Sequence, residues 1–392
     1  MKKFVRFLLC VGAVALEAKP LSVDVKAKSA ILINAKNGLI LFEKNAHSQA
    51  FPASTTKIAT ALYILDNHKD LNKLARVSKE AITCVSAKEK SKSNYTCPAY
   101  WLEPTGTSFD LKRGELIPIK ALLYGAMLCS GNDAANVLAE NTEGSINNFI
   151  EKLNIYVKSL GCEHTHFCNP HGLHHPRHVT TAYDMALIAQ KAMQNPLFRQ
   201  IVKSTSAQRP KTNLQKAKSI RQFNGLLLKS KANYYPYAIG VKTGYHSQAK
   251  NTLVAAAEKD SRMLIAVIFG CETSEERYQD AKKLFKAAFT EPKVKKLVLN
   301  KDEATLTHKV KGGKTTLEAY LEENVEVNIY ASEEKPIKAF VHWDEKFTLP
   351  INTNQRVGEI WVETIDGDIL LKQPIFAKKP VYPTFLFKKF SM

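Results

Sequence analysis

The sequence predicts a mixed α/β (α+β) domain, an antiparallel sheet flanked by helices, followed by a small all-β domain. Two observations carry this. Apolar β-type runs occur near the start of the chain and again after Lys242, with helical periodicity between them, so strands from both ends meet in one sheet and the helices are segregated. After Pro292 the pattern changes to short alternating runs separated by turn residues. The length of 392 residues suits two domains, and 45% hydrophobic with 24% charged residues allows a large core.

The elements follow in order. Ser29–Asn34 and residues 39–43 are β-type runs on either side of an Asn37-Gly38 turn, a hairpin signal. Pro52-Ala53-Ser54 opens a helical pattern with Ile58, Ala61, Leu62 and Leu65 on one face. Residues 88–94 are charged and aperiodic and read as an exposed loop. Helical patterns return over residues 119–129, 133–140, 148–159 and 182–193. Residues 252–257 and 263–269 are strands, and 280–289 a helix that closes the first domain. Val325–Tyr330 and residues 337–342 and 359–363 are strands of the second, with turns at Gly312-Gly313 and Asp366-Gly367. The expected boundaries are a leader over 1–18, a catalytic domain over 25–291, a β-sandwich over 292–377 and a tail over 378–392.

Lys and Arg number 56 against 37 Asp and Glu, a net charge of +19. Much of this is a solvated basic surface, and the excess suits a membrane surface or a polyanionic wall. Nucleic acid is set aside, because no zinc-finger, RNP-like or helix-turn-helix pattern accompanies the scattered lysines. Lys2, Lys3 and Arg6 precede an apolar run over residues 7–16, with small residues at Ala15 and Ala18. This is the layout of a secretory signal peptide cleaved near Ala18, and its apolar run falls short of the roughly 20 residues a span needs. The chain is therefore expected to be exported. Cys10 follows Leu8 and Leu9 instead of small residues, so lipidation is not expected. The other six cysteines permit disulfides: Cys84 with Cys97, and Cys162 with Cys168, are near enough in sequence to pair. Cys129 and Cys271 sit in apolar stretches and read as small packed hydrophobes.

Three short motifs occur in order: Ser54-Thr55-Thr56-Lys57, Ser130-Gly131-Asn132 and Lys242-Thr243-Gly244. Each alone is weak, since Ser-x-x-Lys recurs at Ser247–Lys250 and Ser332–Lys335. Their order and setting carry the weight. Ser54 stands at the first turn of an amphipathic helix, Ser130-Gly131 interrupts two helical patterns, and Lys242 ends an apolar run before two more strands. A serine hydroxyl needs a base, and Lys57 lies one helical turn away. Burial and the second cation, Lys242, favour the neutral amine. The backbone N–H groups of Ser54 and Tyr245 suit a developing oxyanion, and Gly244 leaves the strand open to substrate. Ser130 and Lys242 can pass a proton to a leaving amine, Asn132 can hold a substrate amide, and Thr243 with Lys242 can bind a terminal carboxylate.

With these motifs the chain resembles the low-molecular-mass penicillin-binding proteins, serine-type D-alanyl-D-alanine carboxypeptidases. The likeness extends to Lys57-Ile58-Ala59-Thr60, Leu160-Gly161, His164-Thr165-His166-Phe167, Asn169-Pro170-His171-Gly172-Leu173, His178 through Asp184, and Asn224-Gly225-Leu226-Leu227. It covers about residues 29–292 well, and the β domain by position and composition. The resemblance implies a transpeptidase/β-lactamase-like catalytic domain, a β-sandwich and a short amphipathic membrane contact. It implies action on peptidoglycan stem peptides, covalent capture by β-lactams, a place in the periplasm or on the outer face of the cytoplasmic membrane, and no cofactor. It places a carboxylate-binding arginine at Arg277. Another arginine found in some members just before Asn-x-Leu-Leu is replaced here by Phe223, with Arg221 two residues earlier. Pro380 and Pro383 limit any helix in the tail, where Phe385, Leu386, Phe387 and Phe390 accompany Lys388 and Lys389.

Two rival functions fit the sequence less well. A class A-like β-lactamase needs a deacylating glutamate between the second and third motifs, and residues 163–184 lack the Glu-x-x-x-Asn pattern. A catalytically idle wall-binding protein is disfavoured by three intact motifs. Six histidines between His164 and His178 suggest zinc, but the stretch matches the family's Asn-x-x-Gly-Leu loop, which needs no metal.

Overall fold

Strands from the two ends of the first unit lie side by side in one sheet. The computed structural model describes residues 19–384 and the backbone of a strand at Val5–Leu9. The chain divides into Leu21–Thr290 and a unit that begins at Glu291 and also takes in the segment up to Pro20. In the first unit the strand order is Ile40–Lys44, Ser29–Asn34, Arg262–Cys271, Lys250–Lys259, Ala238–His246, all antiparallel. Ile31, Ile33, Val254, Ala256, Ile265 and Val267 face a large helical core with Ile58, Leu62 and Leu122. Ala30, Leu32, Leu253, Ala255, Leu264 and Ala266 face a smaller one with Tyr278, Leu284 and Phe285 of the helix Ser274–Thr290. Burial on both faces is why these strands read as continuous apolar runs instead of alternating ones.

The helix Thr56–Asn67 is buried from Thr56 through Ile64 and runs through the middle of the helical layer. Its neighbours start at side-chain caps: Ser145 accepts from Asn148 N–H, and Thr181 from Asp184 N–H. The loop expected over residues 88–94 is instead a short helix, Ala87–Lys92, set by a Ser86–Glu89 capping box. Lys90 on it is only 2% exposed, because its ammonium finds the Trp101 carbonyl and Glu103. A helix this short carries too few turns to show a period. A second helix, Pro196–Lys203, and a two-stranded ribbon, Ser206–Arg209 with Lys218–Arg221, are additions to the sequence reading. The six cysteines among the described residues are free, so neither Cys84–Cys97 nor Cys162–Cys168 is bridged.

In the second unit Ile337–Trp343, Arg356–Thr364, Ile369–Ala377, Leu317–Tyr320 and Leu306–His308 form a sheet, with Val5–Leu9 beside Ile337–Trp343 at its edge. Lys293–Leu299 pairs separately with Val325–Tyr330. Alternate residues, including Leu317, Trp343, Ile360, Val362 and Ile375, make its core. The first part of the expected tail belongs to this unit: Lys378 N–H donates to Glu318, Val381 exchanges bonds with Ile351, and Thr384 N–H donates to Gly312. Of the expected tail, only residues 385–392 fall beyond these bonds. Those residues, and the leader apart from Val5–Leu9, lie outside the described residues. Among the described residues no helix is long and apolar enough to cross a membrane.

Candidate active site

Ser54 sits in a single 3-10 turn, Ala53–Thr55, that runs into the helix Thr56–Asn67. Ala53 takes a left-handed conformation, φ 49°, to make this entry. The turn is fastened from several sides. Thr252 Oγ1 on the sheet donates to the Pro52 carbonyl at 3.0 Å. Thr56 Oγ1 donates to the Ala53 carbonyl at 2.9 Å and lies 2.8 Å from His178 Nε2. His178 Nδ1 accepts from Cys168 N–H, so Nε2 carries the proton and donates to Thr56. Gly172, φ +91°, passes so close that a Cβ there would stand 1.8 Å from the Ala53 carbonyl oxygen, which no side chain allows.

Lys57 is fully buried, and its Nζ has three neighbours: Ser54 Oγ at 3.0 Å, Asn132 Oδ1 at 2.7 Å and the His171 carbonyl at 2.7 Å. Burial, and then the charge of nearby Lys242, hold its pKa well below the ordinary lysine value; Asp133 and Cys129 oppose this in part. A neutral amine has two N–H donors and one lone pair. Asn132 Oδ1 and the His171 carbonyl can only accept, so they take the two donors, and the lone pair is left for the Ser54 hydroxyl.

Lys242 on the strand Ala238–His246 is 1% exposed, and its Nζ donates to the Thr243 carbonyl at 3.0 Å. Its pKa is pushed down to about 7, chiefly by burial and also by Arg277, with Cys129 acting the other way. Thr243 is buried and Gly244 follows. A Cβ on Gly244 would lie 2.8 Å from the Ser54 amide nitrogen and 2.4 Å from Thr252 Oγ1, so glycine lets the strand run against the nucleophile turn. Tyr245 comes next, its side chain 66% exposed. Arg277 donates through Nη1 to the Gly244 and Thr252 carbonyls and through Nη2 to Ser274 Oγ. The guanidinium expected on a substrate carboxylate is thus engaged with two strand carbonyls. Phe223 is half exposed and Arg221 exposed.

The second motif joins the same cleft. Ser130 is buried, with φ 62°, and Asn132 starts the helix Asn132–Glu143. Thr107 Oγ1 donates to the Ser130 carbonyl, and Asn132 N–H to the Thr107 carbonyl. Asp133, read from the sequence only as the start of a helical pattern, accepts from Ser108 Oγ and from the Phe109 and Leu111 N–H groups. It thereby fastens residues 107–111 to the motif, and its place in the first turn of a helix was the available signal. His171 was likewise missed: a backbone carbonyl carries no sequence identity, and only its place in the Asn169–Leu173 stretch marked it. Its Nδ1 accepts from Leu173 N–H and its Nε2 donates to the Tyr100 carbonyl, so the ring is a neutral structural group. Among the described residues no group of three or more His, Cys, Asp or Glu could hold a metal ion.

Comparison with known proteins gives the family. The family model described as D-alanyl-D-alanine carboxypeptidase matches residues 14–273, and that of the penicillin-binding protein 5 C-terminal domain matches 294–382. The D-alanyl-D-alanine carboxypeptidase DacF of Bacillus subtilis is 31% identical over 90% of this chain and 85% of its own. DacD of Escherichia coli is 31% identical over 88% of this chain and 84% of its own. The crystal structure of the Streptomyces K15 DD-transpeptidase has TM-score 0.58 and 28% identity, covering 68% of this chain and 98% of that one. Penicillin-binding protein 5 of Haemophilus influenzae shares the fold at TM-score 0.61 and 24% identity, over 92% of this chain and 99% of that one. On the strength of the matched catalytic segment and of these relatives, the chain belongs to the D-alanyl-D-alanine carboxypeptidase family of low-molecular-mass penicillin-binding proteins.

Proposed function

We propose that this protein removes the terminal D-alanine from peptidoglycan stem peptides through an acyl-enzyme on Ser54, and that β-lactams acylate the same oxygen. The supporting observation is the three-neighbour setting of Lys57, which leaves the lone pair of a neutral amine on the Ser54 hydroxyl. Lys57 takes the hydroxyl proton as Ser54 Oγ attacks the carbonyl of the penultimate D-alanine. The oxyanion forms against the N–H groups of Ser54 and Tyr245. Collapse breaks the peptide bond, and the proton taken by Lys57 passes through the Ser130 hydroxyl, beside Lys242, to the departing amine, which returns Lys57 to its neutral form. Water then attacks the ester, with Lys57 again as base, and frees Ser54.

Binding follows from the donors left over. Lys242 gives one N–H to the Thr243 carbonyl, so the rest, with the Thr243 hydroxyl, meet the terminal carboxylate. Asn132 uses Oδ1 on Lys57 and keeps Nδ2 for a substrate carbonyl. Arg277 serves this subsite by bracing the Gly244 strand and by its charge. Export is proposed on the basic, apolar and small-residue order of the first eighteen positions, and a peripheral membrane contact on the aromatic and basic residues of 385–392. Amino-terminal sequencing of secreted protein should begin after Ala18.

The deciding experiment pairs two readings. Synthetic peptide ending in D-Ala-D-Ala should yield free D-alanine, and penicillin should leave a long-lived adduct on the peptide that contains Ser54. Rapid penicillin hydrolysis with no D-alanine release would refute the carboxypeptidase reading in favour of a β-lactamase.

A further inference from the structure

The positive charge is not spread evenly along the chain. Residues 21–290 hold 36 Lys and Arg against 21 Asp and Glu, whereas residues 291–392 hold 16 against 15, so the excess belongs to the catalytic unit. Within that unit, residues 185–257 hold twelve Lys and Arg and no acidic residue. Such a field draws polyanions without by itself making a site. A groove of about 520 Å³ gives it a focus. The groove lies between the helix Ser274–Thr290 and the start of the strand Ala238–His246, and its lining includes Tyr235, Tyr237, Lys259, Lys282, Lys286 and Phe289.

Its walls combine aromatic rings with free cations. Tyr235 stacks on Phe285 at 5.8 Å, and Tyr237 stands edge-on to Tyr235 and Phe289 at 5.7 and 5.9 Å, which fixes the rings in place. Tyr237 is still 39% exposed. Lys282 and Lys286 are one helical turn apart, a repulsive spacing. Lys259 reaches in from the strand Lys250–Lys259, its Nζ 5.4 Å from the centre of the Tyr237 ring. None of these three lysines has an ion-paired carboxylate among the described residues. Lys283 beside them is already bonded to the Asp24 carbonyl. Glu275, the acid whose charge reaches Lys282, accepts from Gln279 and Asn233. Glu258 takes the opposite face of the sheet from Lys259. Ring faces beside available ammonium groups suit a chain of sugar rings with carboxylates on its substituents: the sugars stack and the carboxylates pair. The aromatic residues line a concavity instead of projecting, which suits a polymer strand better than a lipid surface. The groove and the cleft also share an element. The strand Ala238–His246 is an edge of the sheet; from its start at the groove to Gly244 in the cleft is about 20 Å at ~3.3 Å per residue.

We propose that this groove binds the glycan strand of peptidoglycan while a stem peptide of the same polymer occupies the cleft. The proposal rests on the peptidoglycan reading of the cleft. The test measures co-sedimentation of full-length chains with purified insoluble peptidoglycan. Lys259→Gln, Lys282→Gln and Lys286→Gln together remove the groove cations. Lys69→Gln, Lys73→Gln and Lys79→Gln together remove the same charge from exposed positions elsewhere on the unit. The groove variant should bind about tenfold more weakly, the scale of three exposed ion pairs, and the control within about twofold of the native chain. Tyr237→Leu keeps every charge and should bind about threefold more weakly. D-alanine release by the groove variant should fall on the polymer and stay unchanged on a short peptide ending in D-Ala-D-Ala. Equal loss of binding in the two triple variants overturns the site in favour of diffuse charge. Undiminished binding of the groove variant to peptidoglycan, with loss of its binding to vesicles of equal parts phosphatidylcholine and phosphatidylglycerol, overturns the glycan in favour of a membrane. In both cases the short peptide is still cleaved and the carboxypeptidase reading stands. Release from neither peptide nor polymer by the native chain removes that reading and the role of the groove with it.

Discussion

Two lysines are buried in one cleft, and their surroundings differ. At the helix start, Lys57 has three polar neighbours within 3.0 Å, two acceptors from Asn132 and the 171 carbonyl and the Ser54 hydroxyl on its lone pair. On the strand, Lys242 has the carbonyl of Thr243. The first amine is fully coordinated by the protein and has nothing to offer a ligand except its lone pair. The second keeps donors in reserve. Equal burial is therefore compatible with the base proposed in one region and the binding group proposed in the other, and bond counting separates them where pKa direction alone does not.

Experiments that break or sharpen this contrast fall in order of size. Ser54→Ala should lower D-alanine release by at least ~10⁴-fold and abolish the penicillin adduct, seen by intact-mass spectrometry. Lys57→Met fits an apolar stem into the same space and should cost roughly 10³-fold in kcat with little change in KM. Lys242→Met should instead raise KM by about tenfold or more as well as lowering kcat. The same kcat and KM pattern for both variants would erase the distinction. The pH profile is the next test. Lys57 acts neutral, so kcat/KM falls on the acid side as that amine protonates, at a pH well below the ordinary lysine value. Lys242 binds a carboxylate when charged, so kcat/KM also declines as pH rises through about 7. Lys242→Arg, which stays charged, should move the alkaline limb upward.

Smaller effects probe the braces. Arg277→Met removes donors from the Gly244 and Thr252 carbonyls and should lower unfolding free energy by about 2 kcal/mol in urea titration, with a rise in KM. Thr56→Val cuts the His178–Thr56–Ala53 chain and should cost about 1 kcal/mol with most activity retained.

How much of this was legible follows from what kind of atom does the work. The roles proposed for Ser54, Lys57, Asn132 and Lys242 fall to side chains at fixed spacing, which stand out in the sequence. The central strands were plain because both faces are buried, although the strand Ala238–His246 showed only as a short apolar run ending at its motif, since its last residues turn polar beside the cleft. The second acceptor of Lys57 is a backbone oxygen 114 positions away, which no residue name reveals. Lys90 read as a solvent charge because its partners, the Trp101 carbonyl and Glu103, appear only once the chain between them has folded back. Arg277 was visible as a cation of the site, but its engagement with two strand carbonyls needed the sheet register.

The dependence of Lys57 on distant partners has a consequence for the chain before it is complete. In a loosely folded polypeptide that amine meets water, holds its proton and cannot activate the neighbouring hydroxyl. Reactivity toward penicillin thus reports arrival of the last contributing segment, and a pulse of labelled antibiotic during refolding would time that arrival without any spectroscopic probe.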